Sequence, residues 1–411
     1  MTLPLRLSRR AFGAGVLAAG AAPARASEPS HDTTLTQDFD ELWTTLRDRY
    51  CFFGEKRTDW DQVRRLYRPQ AIAAPSYEAF QEITRRVLCE LYDAHTHLSD
   101  PLDGAPRWPL YDLLAERAGG DVRIVAVQDG SSAADAGVRI GDVVVGVDGA
   151  PIDRGIGDLM PRCLTRPDPE AERYVINVAV AGHTAQPRQM RLRGGDGVER
   201  DVALPLKRRP EAPDVESRQL GEGLGYIRIR TFANDSAVEV FDAALAVLAA
   251  TRGLIIDVRG NGGGDTAVAR PIMGRFITET RPYAHMRRRS GRGLSQRWVE
   301  AVDPRGPFTY AGKVVVLADH WSGSMAEGFP MGMRAVAGAR IVGTRMMGLG
   351  AAVFSLRLDR TGVGAQYSAE PVYDVNDRPR WLLAPDVETA PGADILAAGE
   401  AELRRIIGWA G

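Results

Sequence analysis

Lysine is nearly absent from this chain. Lys56, Lys207 and Lys313 are the only three, and every other basic side chain apart from histidine is arginine. Chemistry that needs an amine base therefore has three candidates, because a guanidinium stays protonated in proteins. Cysteine is equally scarce. Cys51, Cys89 and Cys163 are odd in number and widely spaced, which excludes a disulfide framework and a cysteine-based metal cluster. They read as buried free thiols. Past the N-terminus no apolar run reaches the length of about 18 residues that spans a bilayer, so no stable membrane insertion is expected. A net charge of -1 gives no global attraction to nucleic acid or to an anionic membrane. Internal repeats and low-complexity tracts are also missing.

What is present suggests two or three domains: 411 residues, 44% of them hydrophobic. Ser8-Arg9-Arg10-Ala11-Phe12 precedes a small apolar run, Gly13 to Ala22, and Ala24-Arg25-Ala26 offers a cleavage site. Residues 1–26 thus read as an export signal and resemble the twin-arginine type, which implies a periplasmic or secreted protein. Phe39, Leu42, Trp43, Leu46 and Tyr50 recur at helical spacing. Further helices are expected at Trp60 to Tyr67 and after Ser76, a plausible N-cap, with Phe80, Ile83, Val87 and Leu91 as the apolar face. Residues 27–105 are expected to form a small N-terminal helical domain.

The period then changes to two. Val122 to Val127 and Val143 to Val147 read as strands, Asp148-Gly149 as a hairpin turn, and Tyr174 to Val180 as a further strand. The stretch GSSAADAGVRIGDVVVGVDGAPI, Gly130 to Ile152, resembles the second half of a PDZ domain. Residues 106–208 are accordingly expected to be a PDZ-like β domain, a fold that takes extended peptides on a sheet edge. No glycine-rich carboxylate loop is evident near Trp108 to Leu114. Pro205 to Val215 reads as a linker. From Leu224 strands and helices alternate, which implies an α/β unit over residues 216–411. The basic run Arg287 to Arg292 reads as a solvated loop.

Two strand-to-helix turns can carry chemistry. Leu254-Ile-Ile-Asp-Val-Arg-Gly-Asn-Gly-Gly-Gly264 exposes backbone N–H groups after a buried strand. Such a loop can cradle a phosphate or supply an oxyanion donor, though it matches neither G-x-G-x-x-G nor a Walker A. The second turn is His320-Trp-Ser-Gly-Ser-Met-Ala-Glu-Gly-Phe-Pro330. A serine at a helix start is most often only a cap. The same position favours developing negative charge, which suits a nucleophile. Pro330 predicts a kink or a delayed helix start.

Together these motifs resemble the C-terminal processing (tail-specific) serine protease family, with its D-L-R-x-N-x-G-G and S-A-S-A-S-E motifs and a closing P-D. Here these are Asp257 to Gly264, Ser322 to Glu327, and Pro385-Asp386. The resemblance covers most of residues 36 to 390. It implies a multidomain α+β protein with a crotonase/ClpP-like protease domain, Ser324 as nucleophile rather than Ser322, and the amides of Gly263 and Met325 as oxyanion donors. It implies a protein or peptide substrate and no cofactor.

Many members take a lysine base from T-F-G-K-G, where this chain has Met346-Met347-Gly348-Leu349-Gly350. Lys313 lies at the far end of the strand before Ser324, roughly 20 Å away at ~3.3 Å per residue. Lys56 and Lys207 are expected in other domains. Asp93-Ala94-His95-Thr96 resembles the D-G-H-T motif of the tricorn-like branch, which makes His95 the implied base and His320 the alternative. The branch takes an acid from before the P-D motif, where Glu370, Asp374 and Asp377 are the candidates. Glu327 and Asp257 are expected to hold the loops, and His31, His183 and His285 to lie on the surface. His95 and His97 form an H-x-H that could bind metal, but no third ligand is evident, so no metal is expected. Two rivals remain: a scaffold that binds peptide or a carbohydrate-linked partner without catalysis, and an acyl-CoA enzyme, which the export signal disfavours.

Overall fold

The computed structural model describes residues 31–107, 112–207 and 211–408. The export-type segment 1–26 lies outside them, as does Trp108.

Three helices open the described chain: His31–Arg49, Trp60–Ile72 and Tyr77–Cys89. The second is capped by Asp59, whose side chain accepts from the Gln62 amide, and the third by Ser76, which accepts from Ala79. The stripe from Phe39 to Tyr50 is buried with Val63, Tyr67, Phe80 and Val87. That core is not confined to the helices. Leu358, Val363, Ala365, Tyr367 and Ala369 belong to it as well. The short strand His97–Leu98 pairs antiparallel with Gly364–Tyr373, with His97 opposite Gln366. The helices expected as a separate small domain thus share a core with the C-terminal half.

The middle of the chain is an antiparallel sheet in the order Leu113–Ala118, Asp121–Val127, Val143–Val147, Arg188–Arg193, Glu199–Leu204. Along Asp121–Val127 burial alternates, as the period-two pattern predicts. Asp148 and Gly149, at φ 51° and 79°, close a two-residue hairpin that sets Val147 opposite Ala150. Tyr174 to Val180, expected as a strand, lies instead inside the helix Pro169–Ala181. The Asp168 side chain caps it, and Pro169 occupies the first turn. Its β-branched run is buried on most sides, so the helical period does not show in the sequence.

The third region is a six-stranded sheet in the order Val387–Glu388, Arg340–Gly343, Lys313–Ala318, Gly253–Asp257, Leu224–Ile229, Val215–Leu220. All pairings are parallel except the last. Gly253–Asp257 is buried at every position, as a central strand with both faces covered must be. Leu254 and Ile256 face a core shared with the helices Ser236–Val247, Thr266–Met273 and Met325–Ala337. Ile255 faces the helix Ile395–Ile406 through Leu403. A second sheet joins His97–Leu98, Gly364–Tyr373, Arg281–Met286 and Trp298–Val302, with Ala351–Arg357 also paired to Gly364–Tyr373. Pro330 neither delays nor breaks its helix, which starts at Met325 and runs on past it. So near the N-terminus the missing N–H removes a single ladder bond.

The join between the N-terminal helices and the rest rests on Asp38. It is fully buried, and its carboxylate accepts from the Arg360 amide at 3.0 Å and from the amide and hydroxyl of Thr361 at 2.6 Å each. Asp38→Ala should lower unfolding stability by about 1.5–3 kcal/mol, since three part-buried donors lose a charged acceptor. Urea denaturation followed by tryptophan fluorescence checks this; a midpoint equal to wild type would contradict the shared core.

Candidate active site

The site forms where parallel strands end side by side, the usual place for ligands on such a sheet. After Lys313–Ala318 the chain turns at Asp319, whose Oδ1 accepts from the Trp321 and Gly260 amides, both at 3.0 Å. Ser322 is fully buried. Its hydroxyl donates to the Val258 carbonyl at 2.8 Å and accepts from the Asp319 amide at 3.0 Å. This serine is a latch between two loops.

Ser324 is different. It sits at φ 54° and ψ -115°, a backbone region that L residues avoid, and its side chain makes no cap bond to the helix it precedes. It remains half-exposed. The cap reading of this serine is therefore not what the structure contains. A strained strand-to-helix turn of this kind presents a hydroxyl outward.

Gly263 explains how the turn fits. A Cβ on Gly263 would stand 2.8 Å from Ser324 Cβ and from the Gly323 carbonyl oxygen. Its φ of 109° is also open only to glycine. Asn261, fully buried, ties the two loops to a third strand. Its carbonyl accepts from the Gly323 amide at 2.9 Å, and its Nδ2 donates to the Ile229 carbonyl at 3.0 Å. Its Oδ1 accepts from the Gly263 amide at 2.8 Å. Of the two amides expected as oxyanion donors, that of Gly263 is thus engaged. Among the described residues, that of Met325 has no hydrogen-bond partner. Asp257, as expected, holds its loop through Arg259 and the Tyr226 hydroxyl.

Leu349 occupies the position at which the family's T-F-G-K-G motif has its lysine. Its amide donates to Glu327 Oε1 at 2.8 Å, and its Cδ1 would lie 3.1 Å from a Cβ on Gly323. Glu327 and Arg380 form a buried pair, with Arg380 Nε 3.7 Å from Glu327 Oε2. Burial pushes the Glu327 carboxyl up to about 7 against the opposing pull of Arg380 and neighbouring amides. Burial likewise lowers Arg380. Arg380 Nη2 also donates to the carbonyls of Leu349 at 2.6 Å and Ala351 at 3.2 Å.

His95 is buried. Asp93 fixes its turn by accepting from the His95 amide at 3.0 Å and the Thr96 hydroxyl at 2.8 Å. The strand Gly364–Tyr373 grips the same turn: Gln366 Nε2 donates to the His95 carbonyl at 3.1 Å, and the Ser368 amide to the Thr96 hydroxyl at 3.1 Å. Burial holds the imidazole well below its ordinary value, Asp93 opposes this, and Arg380 adds to it; the ring also interacts with the Ala351 backbone. Arg380 and Ala351 are therefore neighbours common to His95 and to the Leu349 segment against Gly323. His95 Nδ1 is buried without a hydrogen-bond partner.

None of the three candidate acids bonds to that nitrogen. Glu370 pairs with Arg288. Asp374 holds its own loop, accepting from the amides of Asn376 at 2.8 Å and Arg378 at 2.9 Å. Asp377 meets His285 Nδ1 at 3.0 Å and also pairs with Arg297. His285, expected on the surface, is thus a buried histidine with an acid partner. His320 stands edge-on to Trp321, and burial lowers its pKa. Lys56 is not remote from the site. It lies over the Tyr92 ring at 4.2 Å, and its charge interacts with Asp93. The basic run is not a free loop either: Arg288 holds Glu370, and Arg289 donates to the Arg47 carbonyl at 2.9 Å. Among the described residues no three His, Cys, Asp or Glu side chains gather as a metal site.

Residues 31–89 match the Tricorn protease C1 domain, and residues 223–389 match Peptidase family S41. Tricorn protease homolog 1 of Streptomyces coelicolor is 25% identical over 345 residues, which cover 76% of this chain and 28% of that protein. Carboxy-terminal processing protease CtpB of Bacillus subtilis is 40% identical over 78 residues, 18% of this chain and 16% of that one. The chain therefore spans less than a third of the length of either relative. The crystal structure of mature CPAF shares the fold, with a TM-score of 0.61 at 17% identity over 92% of this chain and 97% of that one. The S41 match runs from the first parallel strand to the last and takes in both loops around Ser324, so the chain carries a Peptidase family S41 domain.

Proposed function

We propose that this chain is an exported serine endopeptidase that cleaves protein or peptide substrates, with Ser324 as nucleophile and His95 as base. The observation that carries this reading is the backbone of Ser324, held at φ 54° without a cap bond beside the unpartnered Met325 amide. Strain at a serine that does no capping is the mark of a functional constraint.

In this mechanism Ser324 Oγ attacks the scissile carbonyl carbon while an imidazole nitrogen of His95 takes its proton. The carbonyl π electrons move to oxygen, and the Met325 amide donates to that oxyanion. The Gly263 amide joins it by exchanging its bond to Asn261. Collapse of the tetrahedral adduct breaks the C–N bond, and His95 returns the proton to the leaving amine. Water, deprotonated by His95, then releases the acyl group by the reverse sequence. The base acts as the neutral imidazole, so burial helps by keeping His95 unprotonated. The sequence supports residues 106–208 as a PDZ-like peptide-binding domain between the units 27–105 and 216–411. It also supports delivery to the periplasm or the exterior by the segment 1–26. Among the described residues no helix is long and apolar enough to cross a membrane.

A fluorophosphonate probe should label the folded protein at Ser324 and leave Ser324→Ala unlabelled. A folded wild type that takes no label would favour the scaffold reading instead.

The pH dependence follows from the sign of the His95 shift. The base is lost when His95 gains a proton as pH falls through its folded pKa. Burial lowers that value, so the acid limb of kcat/KM should lie below the ordinary histidine value of about 6.5. His95→Ala should reduce kcat about 10²–10⁴-fold. A limb at or above pH 7, or an unchanged rate in His95→Ala, would assign the base elsewhere.

A further inference from the structure

The chain enters the turn that carries His95 through Tyr92, a buried residue at φ 35°. Positive φ is strained for so bulky a side chain and persists only where the surroundings over-determine it. The Tyr92 hydroxyl donates to Asp168 Oδ2 at 2.7 Å and accepts from the Arg57 amide at 2.6 Å. Its carbonyl accepts from Lys56 Nζ at 3.3 Å, and the same ammonium stands 4.2 Å from the centre of its ring. Residues 56 and 57 thus hold both ends of the residue before Asp93. Lys56 is half-buried and is used as a donor and a charge, which an ammonium supplies and a neutral amine does not.

The groups around Asp93 place that charge in context. Its carboxylate holds the His95 amide and the Thr96 hydroxyl, and it also interacts with the Tyr50 hydroxyl, the Cys51 thiol and Ser368. Burial opposes its ionisation, yet Lys56 foremost, then His95 and the hydrogen bonds, keep Asp93 below the ordinary carboxylate value. Glu170, Asp168 and Arg173 act on Lys56 less strongly than Asp93 does. The imidazole of His95 faces Asp93, Arg380 and His97. Lys56 and His95 therefore draw on the same carboxylate whenever both are charged.

We propose that Lys56 is a positioning residue for the proposed base: its ammonium compensates Asp93 and braces the turn, so that His95 is presented as a neutral imidazole. An Asp93 that already has a cation gains less from a second one. Without Lys56 the imidazolium becomes the cation that offsets Asp93, and His95 keeps its proton to higher pH. A lysine thus serves catalysis here as a fixed charge, acting through Asp93 and without touching substrate. The catalytic part of this role rests on the reading of His95 as base; the effect of Lys56 on the His95 proton does not.

The test reads the imidazole directly. Full-length protein with 13Cε1-labelled histidine shows six ring signals, and His95→Gln identifies the one that matters. Lys56→Met should raise the His95 titration midpoint by about one pH unit. Lys56→Arg, which restores the charge, should recover at least half of that shift, with thermal melts confirming that each variant folds. An unchanged midpoint in folded Lys56→Met overturns the proposal, and so does an equal shift in folded Lys56→Met and Lys56→Arg, which would trace the effect to packing. The acid limb of kcat/KM should rise with the midpoint while KM stays within about twofold; an imidazole that shifts while the limb stays in place overturns the positioning role. Wild type gives a check that needs no Lys56 variant. With only three lysines, 13Cε-lysine signals are assigned by Lys207→Arg and Lys313→Arg, and Lys56 should stay protonated across the range in which His95 titrates. A Lys56 that is neutral in that range overturns the proposal. Failure of the fluorophosphonate probe on wild type would sink the peptidase reading and leave both titrations to decide the effect of Lys56.

Discussion

The contact between Gly263 and Ser324 is the constraint from which the rest of the site follows. Strands Gly253–Asp257 and Lys313–Ala318 run parallel in register, with Asp257 opposite Leu317, so the loops that leave them must travel side by side. With no side chain at 263, the two backbones close to a separation that a Cβ would forbid. A non-glycine residue at positive φ costs about 1–3 kcal/mol and persists only where its surroundings over-determine it. Here they do. Gly323 donates to Asn261, Ser322 to Val258, and Gly260 to Asp319, so the chain is pinned immediately before Ser324. The strain is held by hydrogen bonds between loops and not by the serine itself, which leaves its hydroxyl free for chemistry.

The proposed base is held by a different route. His95 belongs to the N-terminal helices in sequence, yet its position is set by the strand Gly364–Tyr373. That strand belongs to the second sheet, and the neighbouring segment Leu349–Ala351 is bound to the serine helix through Glu327 and Arg380. Burial penalises both members of that pair, so its role is to fix one arrangement more than to add stability. The same logic accounts for Asp38, whose buried carboxylate gathers donors from 360 and 361 and locks the helices to the unit that carries Ser324. The geometry of the candidate site thus depends on the N-terminal helices being part of the main core.

Elements with a clean period and end signals were legible in the sequence: the stripe from Phe39 to Tyr50, the cap at Ser76, the hairpin at Asp148-Gly149, and the alternating β-α order after Leu224. Tyr174 to Val180 was not, because a helix buried on most sides loses the 3.6-residue contrast. The Asp168-Pro169 pair was the available signal, a cap followed by a first-turn proline. At the site, glycines and serines could be assigned through motifs, since each is demanded by backbone geometry that is local in sequence. The acids could not. Glu370, Asp374 and Asp377 lie within eight residues of one another, yet one pairs with Arg288, one with its own loop and one with His285 and Arg297. For Glu370 and Asp377 the partner is decided by the pairing of Arg281–Met286 with Gly364–Tyr373, a long-range contact that no spacing records. Lys56 shows the same limit, since its approach to Asp93 depends on how the first turn after the helix His31–Arg49 packs.

The scarcity of lysine bears on the base in a physical way. A chain that fills its basic positions with arginine has a cation that cannot act as a base, because it does not deprotonate. At position 349 an arginine would also bury a second guanidinium beside Arg380, and one buried cation there is already offset by Glu327 alone. Leucine avoids this, since its side chain adds apolar contact next to Gly323 and only its amide is polar, satisfied by Glu327. In the proposed mechanism the proton from Ser324 goes to a group whose neutral form is stable in a dry pocket, and burial keeps the His95 imidazole in that accepting form.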